Sequence, residues 1–219
     1  MSFILENHTI SYDDVDILSN INLNIEKGEK IALLGGSGSG KSTLLKNLFE
    51  MQKEITAYIP QELGLVQNLS VFHNVYISLL DENSTFYNIR NFIKPVKNEI
   101  IKIDAILERL YLNEKIFSKV SSLSGGQKQR TAIARSLHTD KQILLADEPI
   151  SALDVNLSQI AVETMKEKFE TIICSLHNVE VALSNFDRVI GLSDGKIVLD
   201  KKSSEITPLD TTMLYDVCK

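Results

Sequence analysis

"KIALLGGSGSGKSTLLKNLFEM", Lys30 to Met51, decides the fold. The opening "KIALLG" is a short apolar run of the kind that forms a buried strand, and "KSTLLKNLFEM" has the character of a helix. Between them, Gly35-Gly36-Ser37-Gly38-Ser39-Gly40-Lys41-Ser42, with Thr43 following, keeps the spacing of a phosphate-binding loop in the strand-then-helix setting the motif needs. Glycines let backbone N–H groups turn toward an anion without a Cβ in the way, and the helix start adds its positive end. Lys41 brings a cation to the terminal phosphates, and Ser42 offers a hydroxyl to Mg2+. A flexible glycine-serine linker shares the composition but not this spacing with both flanks.

Similar apolar runs recur as "ILLAD" (143–147), "TIICS" (171–175), "RVIGLS" (188–193) and "KIVLD" from Lys196. Helix-like stretches such as "NLSQIAVETMKEKFE" lie between several of them, an alternation that predicts a largely parallel sheet covered by helices. Residues from about 70 to 140 differ: "SVFHNVYISLL", "NEIIKIDAILERLYL" and "GQKQRTAIARSL" have near-helical apolar spacing and few strand signals, as a helical insertion would. "LSDGK" (192–196) reads as a hairpin turn, and "HTISY" and "INLNIEKGEK" near the start as antiparallel strands. The expected fold is α/β: a P-loop core with a mainly parallel sheet and helices on both faces, an N-terminal antiparallel β part and an inserted helical subdomain. One domain is expected over 1–219, with its core at about 1–66 and 141–219 and the helical part at about 67–140. The last twenty residues carry only a weak pattern.

The 219 residues suit one domain, and 43% apolar with 24% charged residues is ordinary globular composition. A net charge of −6 argues against a nucleic-acid partner, and none is expected. Cys174, in an apolar run, and Cys218, near the tail, form no disulfide or metal-ligand pattern; Cys174 reads as buried packing in a reducing cytosol. The apolar start is interrupted at Glu6 before a signal peptide takes shape, and no stretch approaches the roughly 18 apolar residues of a membrane span. Any membrane role is therefore expected to come through a partner.

"ILLADEP" ends a strand run on Asp147 and Glu148, at the carboxyl edge where open α/β sheets bind ligands. Alone they would be two solvated acids; beside a phosphate loop, Asp147 becomes a Mg2+ partner through water and Glu148 a group to polarise the attacking water. His177 in "SLHNVE" emerges at the same edge, where packing, solvation and catalysis are all open. A second anion-seeking feature follows in "LSGGQKQR", Leu123 to Arg130: a helix N-terminus with the Ser124 hydroxyl and unobstructed N–H groups at Gly125 and Gly126. Taken alone it is an ordinary capped helix. Lys128, Arg130 and Arg135 on that helix could assist phosphate attraction, but read rather as a solvated or salt-bridged face.

In order, "GGSGSGKST", "LSGGQ", "ILLADEP", "SALD" and "SLH" resemble the nucleotide-binding subunit of an ATP-binding-cassette (ABC) transporter over nearly the whole chain. The resemblance implies a P-loop ATPase working as a homodimer, or paired with a second cassette, in which the signature helix of one chain faces the nucleotide of the other. ATP and Mg2+ are then the expected cofactors. Ser124, Gly125, Gly126 and Gln127 would contact the partner's nucleotide, and Ser151, Ala152, Leu153 and Asp154 would cross the dimer interface. Tyr12, 29 residues before Lys41, resembles the aromatic that stacks on adenine, though a strand tyrosine is ordinarily packing. Gln61 in "YIPQE" resembles the glutamine that touches Mg2+ and the attacking water, and His177 the histidine that meets the γ-phosphate and holds Glu148. By the same resemblance, integral membrane permease subunits are the partners, a solute-binding protein acts indirectly, and the location is cytoplasmic, on the inner face of the cell membrane.

"IFSKVSS" ahead of the signature, where exporters often carry an acidic stretch, resembles importers. "LGLVQNLSVFHNV", "DEPISALD" with Ile150, and "SLHNVEVAL" resemble subunits that import phosphonates and related phosphorus oxyanions. Lipoprotein-releasing or cell-division cassettes remain alternatives, as does a soluble ABC ATPase regulator. One departure from the family pattern is the interval of about twenty residues between Lys41 and Gln61, roughly half the usual length, as if a strand pair were missing.

Overall fold

A computed structural model describes residues 3–12 and 15–216. In chain order the elements are β1 (Phe3–Tyr12), β2 (Val15–Ile25), β3 (Lys30–Leu34), α1 (Lys41–Met51), β4 (Thr56–Ile59), α2 (Val71–Tyr76), α3 (Thr85–Ile93) and α4 (Lys97–Arg109). They continue with α5 (Gly125–Leu137), β5 (Ile143–Asp147), α6 (Val155–Lys168), β6 (Thr171–Ser175), α7 (Val179–Asn185), β7 (Arg188–Ser193), β8 (Lys196–Lys202) and α8 (Pro208–Asp216). The strand runs read from the sequence all form, as do α1, α4, α5 and α6. Beyond that reading are β4, α3, α7 and α8. Cys218 lies outside the described residues.

By contacts the chain divides into two compact units. The first holds residues 1–61, 142–148 and 169–219. Its main sheet has the order β4-β5-β6-β3-β7-β8, parallel except for β8, which returns antiparallel through the Asp194-Gly195 turn. Both turn residues have positive φ, 47° and 71°, the backbone a two-residue hairpin needs. Every residue of β5 and β6 is buried, which is why both read as unbroken apolar runs rather than alternating ones. The register sets Leu33 and Asp147 on either side of Ser175, so β3, β5 and β6 finish in one row. That row carries the loop after β3 and the two acids to a common edge.

Leu44, Leu45 and Leu48 of α1 pack with Ile31, Leu33, Leu145 and Ile173, each fully buried leucine contributing about 1.5–3 kcal/mol. The β1–β2 pair is antiparallel, as its sequence predicts, and Leu18, Ile21, Leu23 and Ile25 of β2 join the same core. Asn7 and Asn20 take positive φ at its irregularities, each with its backbone N–H held by a side chain across the pair, Asn22 and Thr9.

The second unit, residues 62–141 and 149–168, is helical. Phe72, Val75 and Tyr76 of α2, Ile103 and Leu107 of α4, and Ala132, Ile133 and Leu137 of α5 are buried. Ser70 and Ser84 cap α2 and α3 through the N–H groups of His73 and Tyr87. No helix among the described residues is long and apolar enough to cross a membrane.

Candidate active site

Gly35 leaves β3 with φ 147°, and a Cβ there would lie 2.2 Å from the Leu192 carbonyl oxygen; no other residue type fits. Gly40 sits left-handed, φ 101°, at the N-cap of α1, where a Cβ would collide with Leu18. With glycine there, α1 has no side-chain cap, and its first turn holds no acid. Its leading N–H groups are therefore available to an anion. Ser37 to Thr43 wall a pocket of about 230 Å³, together with Ile17, Gln61 and Glu148. The P-loop and two of the three proposed catalytic residues thus share one cavity.

Lys41 is buried, and its Nζ donates to the carbonyls of Gly35 (2.9 Å) and Gly36 (2.8 Å). Burial pulls its pKa below the usual lysine range, while the charges of Glu148 and Asp147 act the other way. Lys41 Nζ also reaches the Ser39 hydroxyl at 3.5 Å, and a cation bound to such neutral oxygens gains stronger charge-assisted bonds when phosphate oxygens replace them.

Asp147 is 2% exposed, and Ser175 Oγ donates to its Oδ1 at 2.5 Å. Ser175 Oγ also accepts from the Glu148 N–H at 2.9 Å, so one hydroxyl orients both acids. Glu148 adopts φ 51°, a left-handed backbone that costs a non-glycine residue about 1 kcal/mol and sends the chain off the strand direction immediately after Asp147. Its carboxylate meets His177 Nε2 at 2.6 Å, a contact that requires Nε2 to carry the hydrogen. Tyr58 stacks on Phe49 (5.1 Å), and its pKa is pushed up to about 12 by burial and then by Asp147. The same two causes raise the Cys174 thiol, so this buried cysteine stays protonated and inert.

In the second unit, Ser124 caps α5 and forms a reciprocal box with Gln127: Gln127 N–H donates to Ser124 Oγ (3.3 Å) and Ser124 N–H to Gln127 Oε1 (3.0 Å). Gly125 and Gly126 follow, and a Cβ on Gly126 would press to 2.8 Å on the Ala152 carbonyl. Buried Gln129 ties α5 to the segment 151–154, donating to Ser151 Oγ (2.7 Å) and accepting from Ala152 N–H (2.8 Å). Leu153 N–H donates to the Ile150 carbonyl, and the Asp154 carboxylate accepts from Leu157 N–H at the start of α6. Asp154 thereby holds its own segment in shape.

The structure gathers Gly35 to Thr43, Gln61, Asp147, Glu148 and His177 in the first unit, and Ser124 to Gln127 with Ser151 to Asp154 in the second. Tyr12 ends β1 opposite Val15; its side chain lies outside the described residues. Sequence reasoning missed Ser175 and Gln129, whose roles depend on register and packing. It also took Arg130 and Arg135 for a solvated or salt-bridged face, whereas both donate to backbone carbonyls: Arg130 to Leu110 and Tyr111, Arg135 to Leu63 and Gly64.

Residues 18–151 match the family model described as ABC transporter. The phosphonates import ATP-binding protein PhnC of Fusobacterium nucleatum subsp. nucleatum is 35% identical, with 96% of each chain covered. The protein of the same name from Lactobacillus johnsonii is 36% identical over 92% of this chain and 90% of its own. Among solved structures, dimeric MJ0796, a bacterial ABC transporter cassette, superposes with a TM-score of 0.78 at 27% identity, covering 93% of this chain and 99% of that one. A post-hydrolysis dimer of MJ0796 bound to ADP and Pi has a TM-score of 0.72 with the same identity and coverage.

Proposed function

The chain belongs to the ABC transporter family as an ATP-binding and ATP-hydrolysing subunit, and on that premise we propose that it powers import of phosphonates or related phosphorus oxyanions. The observation that carries the site assignment is Glu148: it walls the P-loop pocket and is held by His177 at 2.6 Å. The cargo assignment is supported by likeness to the two phosphonate-import subunits.

In this reading residues 1–219 work as one ATPase domain. Gly35 to Thr43 bind the phosphates through backbone N–H groups, Lys41 exchanges its two carbonyls for β- and γ-phosphate oxygens, and Tyr12 stacks on the adenine. The residues present suit Mg2+: buried, hydroxyl-anchored Asp147 is an oxygen donor, and Ser42 and Gln61 line the pocket beside it. Ser42, Gln61 and, through water, Asp147 would hold Mg2+, which would supply neutralisation of phosphate charge. Glu148 orients the attacking water toward the γ-phosphorus, and His177 keeps that carboxylate in place while contacting the γ-phosphate. Ser124, Gly125, Gly126 and Gln127 of a second copy complete the pocket, with Ser151 to Asp154 along the same interface; likeness to dimeric cassettes supports this pairing. Opening after product release would drive permease subunits fed by a solute-binding protein, with this chain on the cytoplasmic face of the membrane.

Glu148→Gln tests the site. It should retain ATP binding, lose turnover by about a hundredfold or more, and accumulate as closed dimers; native turnover in that variant would remove Glu148 from its role. Reconstitution with the co-expressed permease and solute-binding protein tests the cargo. Phosphonate, phosphite or phosphate should stimulate ATP hydrolysis, and stimulation only by an unrelated solute would overturn that half of the proposal.

A further inference from the structure

Arg135 lies in the last turn of α5, and its guanidinium makes no salt bridge among the described residues. Nη1 donates to the Gly64 carbonyl at 2.7 Å and Nη2 to the Leu63 carbonyl at 2.5 Å. The two acceptors belong to successive left-handed residues, φ 60° at Leu63 and 57° at Gly64. For a leucine that backbone is strained, so the surrounding structure has to hold it. A planar fork with parallel N–H bonds matches two adjacent carbonyls; a lysine ammonium offers no such fork.

A second clamp follows at once. Asn74, fully buried on α2, accepts from Val66 N–H (2.8 Å) and donates to the Val66 carbonyl (3.0 Å). Residues 63–66 are thus bound to α5 and α2 within the helical unit. One residue, Glu62, separates Leu63 from Gln61, which lines the P-loop pocket.

We propose that Arg135 is a positioning residue for Gln61: by gripping Leu63 and Gly64 it joins the carboxyl end of the signature helix and the chain leaving Gln61 into one mechanical piece. Gln61, which lines the P-loop pocket, is then held from its carboxyl side by the segment that Arg135 grips. This rests on the proposed site, in which Gln61 meets Mg2+ and the attacking water.

The test is steady-state ATP hydrolysis by the chain in complex with its permease, comparing the native protein, Arg135→Lys, Arg135→Gln, Gln61→Ala and each Arg135 variant combined with Gln61→Ala. Arg135→Lys should lower kcat about tenfold and leave KM for ATP within about twofold. Arg135→Gln, which keeps two N–H donors without charge, gives a second reading should the lysine variant fold poorly. In the Gln61→Ala background neither Arg135 variant should lower kcat further, because the two residues act in one chain of effect. A native-like kcat in the single Arg135 variants overturns the proposal. So does a loss repeated in full without Gln61, the result expected of an arginine that merely stabilises the helical unit. Native kcat in Gln61→Ala alone would instead remove Gln61 from the site, a failure distinguishable from that of Arg135.

Discussion

The chain builds two glycine-led helix N-termini and finishes them in opposite ways. α1 starts from a left-handed glycine with no side-chain cap and no acid in its first turn, whereas α5 starts from a serine locked in a reciprocal box with Gln127. An uncapped start leaves N–H groups unsatisfied and is completed by an anion from outside; a boxed start is stable by itself. The far ends differ as well: α1 has no basic residue in its last turn, while α5 carries Arg135 there and is followed by buried His138. One helix is thus built to acquire its partner, and the other is built before any partner arrives.

The hardest test of that contrast is Lys41→Ala. It should reduce ATP turnover about a thousandfold, ~4 kcal/mol, in a phosphate-release assay. Turnover within tenfold of native would show that the open helix start does not depend on its cation. Next comes ligand-linked stability. In Glu148→Gln, MgATP at about one hundred times its Kd should raise the unfolding free energy by ~2.7 kcal/mol in a urea titration. That gain should vanish when Lys41→Ala is added and persist in monomeric Ser124→Ala; its loss in the Ser124 variant would erase the distinction between the two helix starts.

Ser124→Ala by itself should lower nucleotide-free stability by ~1 kcal/mol. Gln127→Ala should add little in that background, since the pair forms one box, and full additivity by urea denaturation would refute the reciprocal cap. The smallest expected effect concerns His138 at the end of α5. Burial holds its pKa below the ordinary 6.5; Glu99 opposes that shift, while Lys102 and Lys168 reinforce it. The folded chain therefore binds this proton less readily than the unfolded chain. The resulting stabilisation is complete above about pH 6.5 and is lost as pH falls through the lower folded value. His138→Gln should reduce the stability difference between pH 7 and pH 5 by up to ~1 kcal/mol; an unchanged difference would mean His138 does not set it.

Legibility in the sequence followed the range of the interaction. The P-loop, the strand runs ending at Asp147 and Ser175, the Asp194-Gly195 hairpin and the capped helix start at Ser124 are local, so spacing and residue type expose them. α3 went unread although it is nine residues long with an N-capping serine, because Phe86 and Ile93 on it are largely exposed and blur its apolar face. β4 is only four residues and needs β5 to pair with. Arg130 and Arg135 look like surface cations because nothing in their neighbourhood of sequence names the carbonyls at 110–111 and 63–64 that they bind.

By itself the sequence determined the backbone grammar: glycines where no Cβ fits, apolar runs that must bury, and a helix start left without a cap. Those are properties of single residues and near neighbours, and they carry the family with them. The tertiary structure alone decided that one Ser175 hydroxyl holds both Asp147 and Glu148, that Glu148 bends to meet His177, and that an arginine at the end of one helix grips the segment after Gln61. Each depends on strand register or helix packing between residues far apart in the chain, and a hydrogen bond forms only where that packing brings donor and acceptor to about 3 Å.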